Sequence, residues 1–147
     1  MLNRLCLSLE DAEVIADAVV AAAEARGEAV CVAVTDATTF VQCHLRMDGA
    51  PLFAVESSLA KSASASEGLG VPTSFFEREV LAGGLSALRL PLVPIEGGEP
   101  VVVDGRCVGA VGVAGAALEV DTELAQAGVA AFLAGRPAVP GTSAGAA

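Results

Sequence analysis

Between Glu10 and Glu24 the apolar residues Val14, Ile15, Ala18, Val19 and Ala22 recur at helical spacing, with Glu10, Asp17 and Glu24 on the opposite side. That periodicity predicts an amphipathic helix. Ser8 is placed to cap its start and Gly27 to end it. Ala29 to Thr35 is apolar and β-branched, which reads as a buried strand. Asp36-Ala37-Thr38-Thr39 is a turn, and Phe40 to Met47 a second strand. A turn centred on residues 37–39 puts Cys31, Ala33, Val41, Cys43 and Leu45 on one face of this hairpin. Gln42, His44 and Arg46 then share the other face, and the apolar first face is expected to meet a helix layer.

Asp48-Gly49-Ala50-Pro51 breaks the pattern. Leu52 to Leu69 is helix-like and is closed by Gly70 and Pro72. Its Ser62 to Ser66 stretch of small residues suits close approach to a sheet or a ligand. Thr73 or Ser74 is placed to cap a short helix through Phe75 to Leu81, and Gly83-Gly84 ends it. Leu92 to Ile95 reads as a short strand, and Gly97-Gly98-Glu99-Pro100 as a turn. Asp104-Gly105 between Pro100–Val103 and Arg106–Val113 is a strong hairpin signal. Gly109 and Gly112 leave gaps on the second of these strands. Asp121 to Leu133 is a final helix. The order of elements predicts an α+β domain over residues 1–134, an antiparallel sheet with helices against its faces. Residues 135–147, rich in Gly, Pro, Ala and Ser, read as a disordered tail.

Composition narrows the function classes. The chain has 147 residues, enough for one domain with its own core. It is 54% hydrophobic but only 3% aromatic, without Trp or Tyr, so the core is built from Ala, Val and Leu. Ring stacking on a ligand falls to Phe40, Phe53, Phe75, Phe76 and Phe132. A formal net charge of −10 argues against nucleic acid and against an anionic membrane surface. It reads as a solubility feature. No stretch approaches the roughly 20 apolar residues of a membrane span. Met1 to Glu10 meets an acid too early for a signal-peptide core, so a cytoplasmic location is expected. Cys6, Cys31, Cys43 and Cys107 show no CxxC spacing and read as small hydrophobes without a disulfide.

Several stretches together resemble a known family. They are Val32-Ala33-Val34-Thr35-Asp36-Ala37, Leu45-Arg46-Met47-Asp48-Gly49-Ala50 and Ala60-Lys61-Ser62-Ala63 in the first half. In the second half they are Gly97-Gly98-Glu99-Pro100, the run from Asp104-Gly105 to Val113, and Glu119-Val120-Asp121. This set is similar to the GlcG/HbpS family, often called haem-degrading, over roughly residues 5 to 134. The resemblance implies a profilin-like fold, a five-stranded antiparallel sheet with helices on both faces. It also implies homo-oligomers, with haem or corrinoid binding and accessory roles in small-molecule pathways. Three departures stand out: Thr39 replaces the usual turn glycine, Ala114-Gly115-Ala116 replaces Ser-Gly-Gly, and the segment between Pro72 and Leu92 is short. In the family these places lie near the ligand pocket.

The candidate chemistry falls on few residues. Lys61 is the only lysine, matches the family's helix lysine, and reads either as a base or Schiff-base amine in a pocket or as a surface lysine. His44, the only histidine, reads either as a base or haem-iron ligand or as a hydrogen-bonded strand residue. Arg46 offers a fork for a carboxylate such as a haem propionate, or pairs with Asp48, Asp36 or Asp121. Met47 is a soft axial ligand or a core methionine. Asp36, Glu119 and Asp121 place carboxylates near one end of the sheet, and Asp121 also suits a helix N-cap. One histidine excludes a multi-histidine metal site within one subunit.

Three functions follow as expectations. The first is a binding protein with haem as a candidate ligand, held between the sheet and the Leu52–Leu69 helix. Asp36, Arg46, Met47, Asp48, Lys61 and Asp121 are its candidate binding residues, with His44 or Met47 approaching a metal. The second is a cofactor-independent enzyme acting on a small organic acid or biosynthetic intermediate, with Lys61 or His44 as base. The third is an oligomeric scaffold without a ligand.

Overall fold

A computed structural model describes residues 4–68 and 70–136. Helix α1 (Leu9–Arg26) begins at a capping box. The Ser8 hydroxyl accepts from the Asp11 N–H, and the Asp11 carboxylate accepts from the Ser8 N–H. It stops at Gly27, whose φ of 69° only glycine adopts freely. Ala12, Ile15, Ala16, Val19 and Ala23 form its buried stripe. Val14 lies off that stripe and is exposed.

Strands β1 (Cys31–Asp36), β2 (Val41–Arg46), β3 (Gly98–Val103) and β4 (Arg106–Ala114) form an antiparallel sheet in the order β2-β1-β4-β3. Helices α1 and α4 (Leu118–Gly135) pack on one face, and α2 (Phe53–Glu67) packs on the other. Helix α3 (Thr73–Leu81) follows α2 and touches β3. The β3–β4 turn has Asp104 at φ 50° and Gly105 at φ 73°, the left-handed pair that a two-residue hairpin turn demands.

The two faces are unlike. Val32, Val34, Val101, Val111 and Val113 join Ile15, Val19 and Leu124 in the main core beneath α1 and α4. The α2 face carries Ala33, Ala110 and Gly112, and a Cβ at Gly112 would collide with the Ser58 carbonyl and the Ser62 nitrogen. Only glycine lets α2 lie this close. Gly128 does the same for α4 against Val19 and Ile15 of α1.

Two expectations are corrected. The sheet has four strands among the described residues, not five, because Leu92–Ile95 pairs with no strand. Pro91 and Pro94 remove donors there, and the Val93 N–H goes to the Ser64 hydroxyl at 2.8 Å. The hairpin faces are also reassigned. Thr35 opposes Val41, as a turn centred on residues 37–39 requires, but Val34 opposes Cys43. Gln42 is therefore an extra residue, and this bulge flips everything beyond it. Cys31 and Ala33 share a face with Arg46 and His44, while Cys43 and Leu45 join Val32 and Val34 on the α1 side.

Helix boundaries shift less. Helix α4 starts before Asp121 and runs through Gly135, the first residue of the expected tail. Residues 137–147 of that expected tail lie outside the described residues.

Thr39 stands at φ 73°, where a β-branched side chain is strained by about 1–2 kcal/mol. Thr39→Gly is expected to raise unfolding stability by about 1 kcal/mol after glycine's entropic penalty. Urea denaturation of the two proteins measures this, and an unchanged or lower midpoint would contradict the strain.

Candidate ligand-binding groove

The sequence-derived candidates separate into four places. Lys61 projects from α2 and is buried, with its side chain 2% exposed. Its ammonium donates to the Val113 carbonyl at 2.9 Å and to Asp121 Oδ2 at 3.1 Å. Asp121 Oδ1 accepts from the Ala116 N–H at 3.0 Å. Asp121 is thus not the N-cap, a position held by Ala117. It lies inside the first turn and satisfies a main-chain donor that precedes the helix. Burial pushes the Asp121 carboxyl above its ordinary range, against the opposing pull of Lys61 and the Ala116 and Gly115 amides. Gly97, at φ 111°, is confined by this pair, since a Cβ there would stand 2.8 Å from the ammonium.

His44 lies on the α2 face of β2. Its Nε2 is 3.2 Å from the Ser58 hydroxyl, which donates its one proton to the Val55 carbonyl at 3.0 Å. A Ser58 proton given to Val55 favours the tautomer with its hydrogen on Nε2. Burial pushes the imidazole pKa below its ordinary value, which favours the neutral form.

Asp36 ends β1. Its Oδ1 accepts from the Thr38 N–H at 2.7 Å, the Thr38 hydroxyl at 2.6 Å and the Phe40 N–H at 3.2 Å. That is a turn-forming role.

The remaining three candidates converge. Arg46, Met47 and Asp48 line an open groove of about 490 Å³ with Val20, Glu24 and Leu45. Val20 and Glu24 stand one turn apart on α1 and form one wall. The end of β2 forms the other wall, held in place where the Met47 N–H donates to the Val30 carbonyl at 3.0 Å. The lining combines apolar Val20, Leu45 and Met47 with one cation and two acids. Arg46 takes part in neither ion pair found among the described residues, Arg26–Glu123 and Lys61–Asp121. It shares the α2 face of β2 with His44 and borders the groove where the strand ends. Among the described residues no group of three or more His, Cys, Asp or Glu is placed to hold a metal ion.

This groove is on the α1 side of β2. The expected pocket between sheet and α2 is displaced by the close packing at Gly112. Val20, Glu24 and Ser58 were not singled out from the sequence. Glu24 follows the pattern of a solvent-facing acid, and only the approach of β2 gives it a wall to form.

The profile of the haem-degrading HbpS-like family matches residues 7–130. Among solved structures, ORFY of Klebsiella pneumoniae is 31% identical at a TM-score of 0.84, covering 91% of this chain and 95% of its own. A double mutant of HbpS from Streptomyces reticuli is 32% identical at a TM-score of 0.79, covering 88% of this chain and 89% of its own. A PduOC–haem complex is 28% identical at a TM-score of 0.77, covering 86% of this chain and 95% of its own. No curated protein matches the sequence. No helix among the described residues is long and apolar enough to cross a membrane.

Breaking the buried pair is expected to be severe. Lys61→Met leaves Asp121 buried without its cation and costs about 3–5 kcal/mol in urea unfolding. Lys61→Met combined with Asp121→Asn keeps the acceptor for Ala116 and is expected to recover most of that loss. Equal losses in the single and double variants would show that the charge pairing is not what matters.

Proposed function

This chain belongs to the haem-degrading HbpS-like family, and from that membership we propose that it binds a planar, carboxylate-bearing small molecule of the haem type in the groove between α1 and β2. The observation that carries this reading is the groove itself, floored by Val20, Leu45 and Met47 on the α1 side of β2, with Arg46 at its rim where the strand ends.

The residues present fit such a ligand. The volume is within the range of small-molecule sites, roughly 300–1,000 Å³. An apolar floor suits a macrocycle, and Arg46 suits a propionate through paired charge-assisted hydrogen bonds. Met47 would offer its thioether to the iron, and haem would supply redox and ligand-exchange chemistry there. Asp48 and Glu24 leave the mouth acidic, which disfavours polyanions such as nucleotides. His44 sits on the other face of β2, with Nε2 committed to Ser58.

The alternative, an enzyme using Lys61 or His44 as base, gains no support from the geometry. The Lys61 ammonium is already shared between a carboxylate and a carbonyl, and neither residue reaches the groove.

A haemin titration followed by absorbance tests the proposal. A saturable, shifted Soret band at one haem per chain is expected. Met47→Ala is expected to alter the band, and Arg46→Ala to weaken binding about tenfold, the equivalent of one charged hydrogen bond. His44→Ala is expected to leave both unchanged. A band that is absent, or that only His44→Ala alters, would overturn the assignment.

A further inference from the structure

One seam of the fold is held by carboxylates that have no cation. Thr122 and Gln126 stand one turn apart on α4, and Glu96 and Glu99 flank the Gly97-Gly98 stretch opposite them. The Thr122 hydroxyl donates to Glu96 Oε2 at 3.1 Å, and the Gln126 amide donates to Glu99 Oε1 at 3.4 Å. The Glu96 N–H in turn donates to Glu77 Oε2 of α3 at 3.1 Å. None of the three glutamates joins either ion pair found among the described residues.

The charges on the elements packed against β3 do not relieve this. On α4, Glu119 lies at helical spacing before Thr122 and is a further acid, Asp121 is bound to Lys61, and Glu123 turns to Arg26. Helix α2 lies on the other face of the sheet, and its Lys61 ammonium is already shared between Asp121 and the Val113 carbonyl. Helix α3 contributes the acid Glu77. Strand β4 sets apolar Val111 opposite Glu99, and its Arg106 lies at the far end, opposite Val103. A half-buried carboxylate with one long hydrogen bond and a like charge beside it favours its neutral form. The neutral acid also suits Gln126 better. A carboxylate only accepts, whereas an acid O–H donates to the amide oxygen while the other oxygen accepts from the amide nitrogen.

We propose that the seam between α4 and β3 is a proton-operated joint: Glu99 takes up one proton from solvent, pairs with Gln126 through two hydrogen bonds in place of one, and tightens α4 on the sheet. The joint does not depend on what the groove between α1 and β2 holds. Burial pushes the Glu99 carboxyl up to about 6, with the Gln126 amide opposing the rise and the Glu96 charge adding to it. The folded value lies above the ordinary 4.5, so the stability gained is complete below that value and is lost as pH rises through about 6. The joint is tight in mild acid and loosened at neutral pH.

Glu99→Gln holds the position permanently neutral. Its equilibrium constant for unfolding in urea is expected to be about tenfold below that of the wild type at pH 7.5, solvent screening the rest of the effect, and within about twofold of it at pH 4.5. The Glu99 carboxyl, followed by carbon-13 NMR, is expected to titrate at about 6, and at a lower pH in Glu96→Gln. Amide protection along α4, corrected for the intrinsic pH dependence of exchange, is expected to rise on acidification in the wild type and to stay flat in Gln126→Met. A Glu99 midpoint at the ordinary glutamate value, a Glu99→Gln variant no more stable than the wild type at pH 7.5, or protection that rises equally in Gln126→Met would each overturn it. If Gln126→Met does not fold, the wild-type titration and Glu99→Gln decide.

Discussion

A lysine ammonium cannot remain buried unless a charge and hydrogen bonds replace the water it gave up. Lys61 meets that demand with Asp121 and the Val113 carbonyl, and its partners come from α4 and β4. The pair thus ties the helix on one face of the sheet to a helix on the other, around the end of β4. The rest of α2 follows the same rule. Its buried face includes Ser58, Ser62, Ser64 and Ser66, so little apolar area holds it down. Instead the hydroxyls of Ser62 and Ser66 meet Thr35, Ser62 reaches the Ala110 carbonyl, and Ser66 reaches the Asp36 carbonyl. No buried side-chain nitrogen or oxygen among the described residues lacks a partner.

Such a polar interface works only at close range, because a hydrogen bond lost to a gap leaves a costly unsatisfied group. Gly98 and Gly112 supply the closeness, each at a point where a methyl group would strike α2. With α2 seated directly on the sheet, the groove opens on the valine-lined side, between α1 and the end of β2. The groove is a by-product of how differently the two faces are packed.

The same economy bears on the family comparison. The residues most like a catalytic set, Lys61 and Asp121, are occupied by the fold. The groove-lining residues Arg46, Met47 and Asp48, to which the proposed function gives the ligand, sit where the edge strand runs out.

Much of this was legible in the sequence. The helix at Leu9–Arg26, its Ser8 cap and Gly27 stop, and the Asp104-Gly105 hairpin all follow from local chemistry, where a few neighbouring residues decide the backbone. The family too was readable from short motifs. The bulge at Gln42 was not, because nothing local distinguishes a strand residue that pairs from one that is skipped, yet that single residue decides which side of the sheet His44 and Leu45 occupy. Lys61 likewise had no acid within a helical turn to announce its pairing. Its partner lies 60 residues on, and only the packing of two helices around one sheet brings the charges together. Local rules set elements, and contacts between distant segments set which residues remain free to bind.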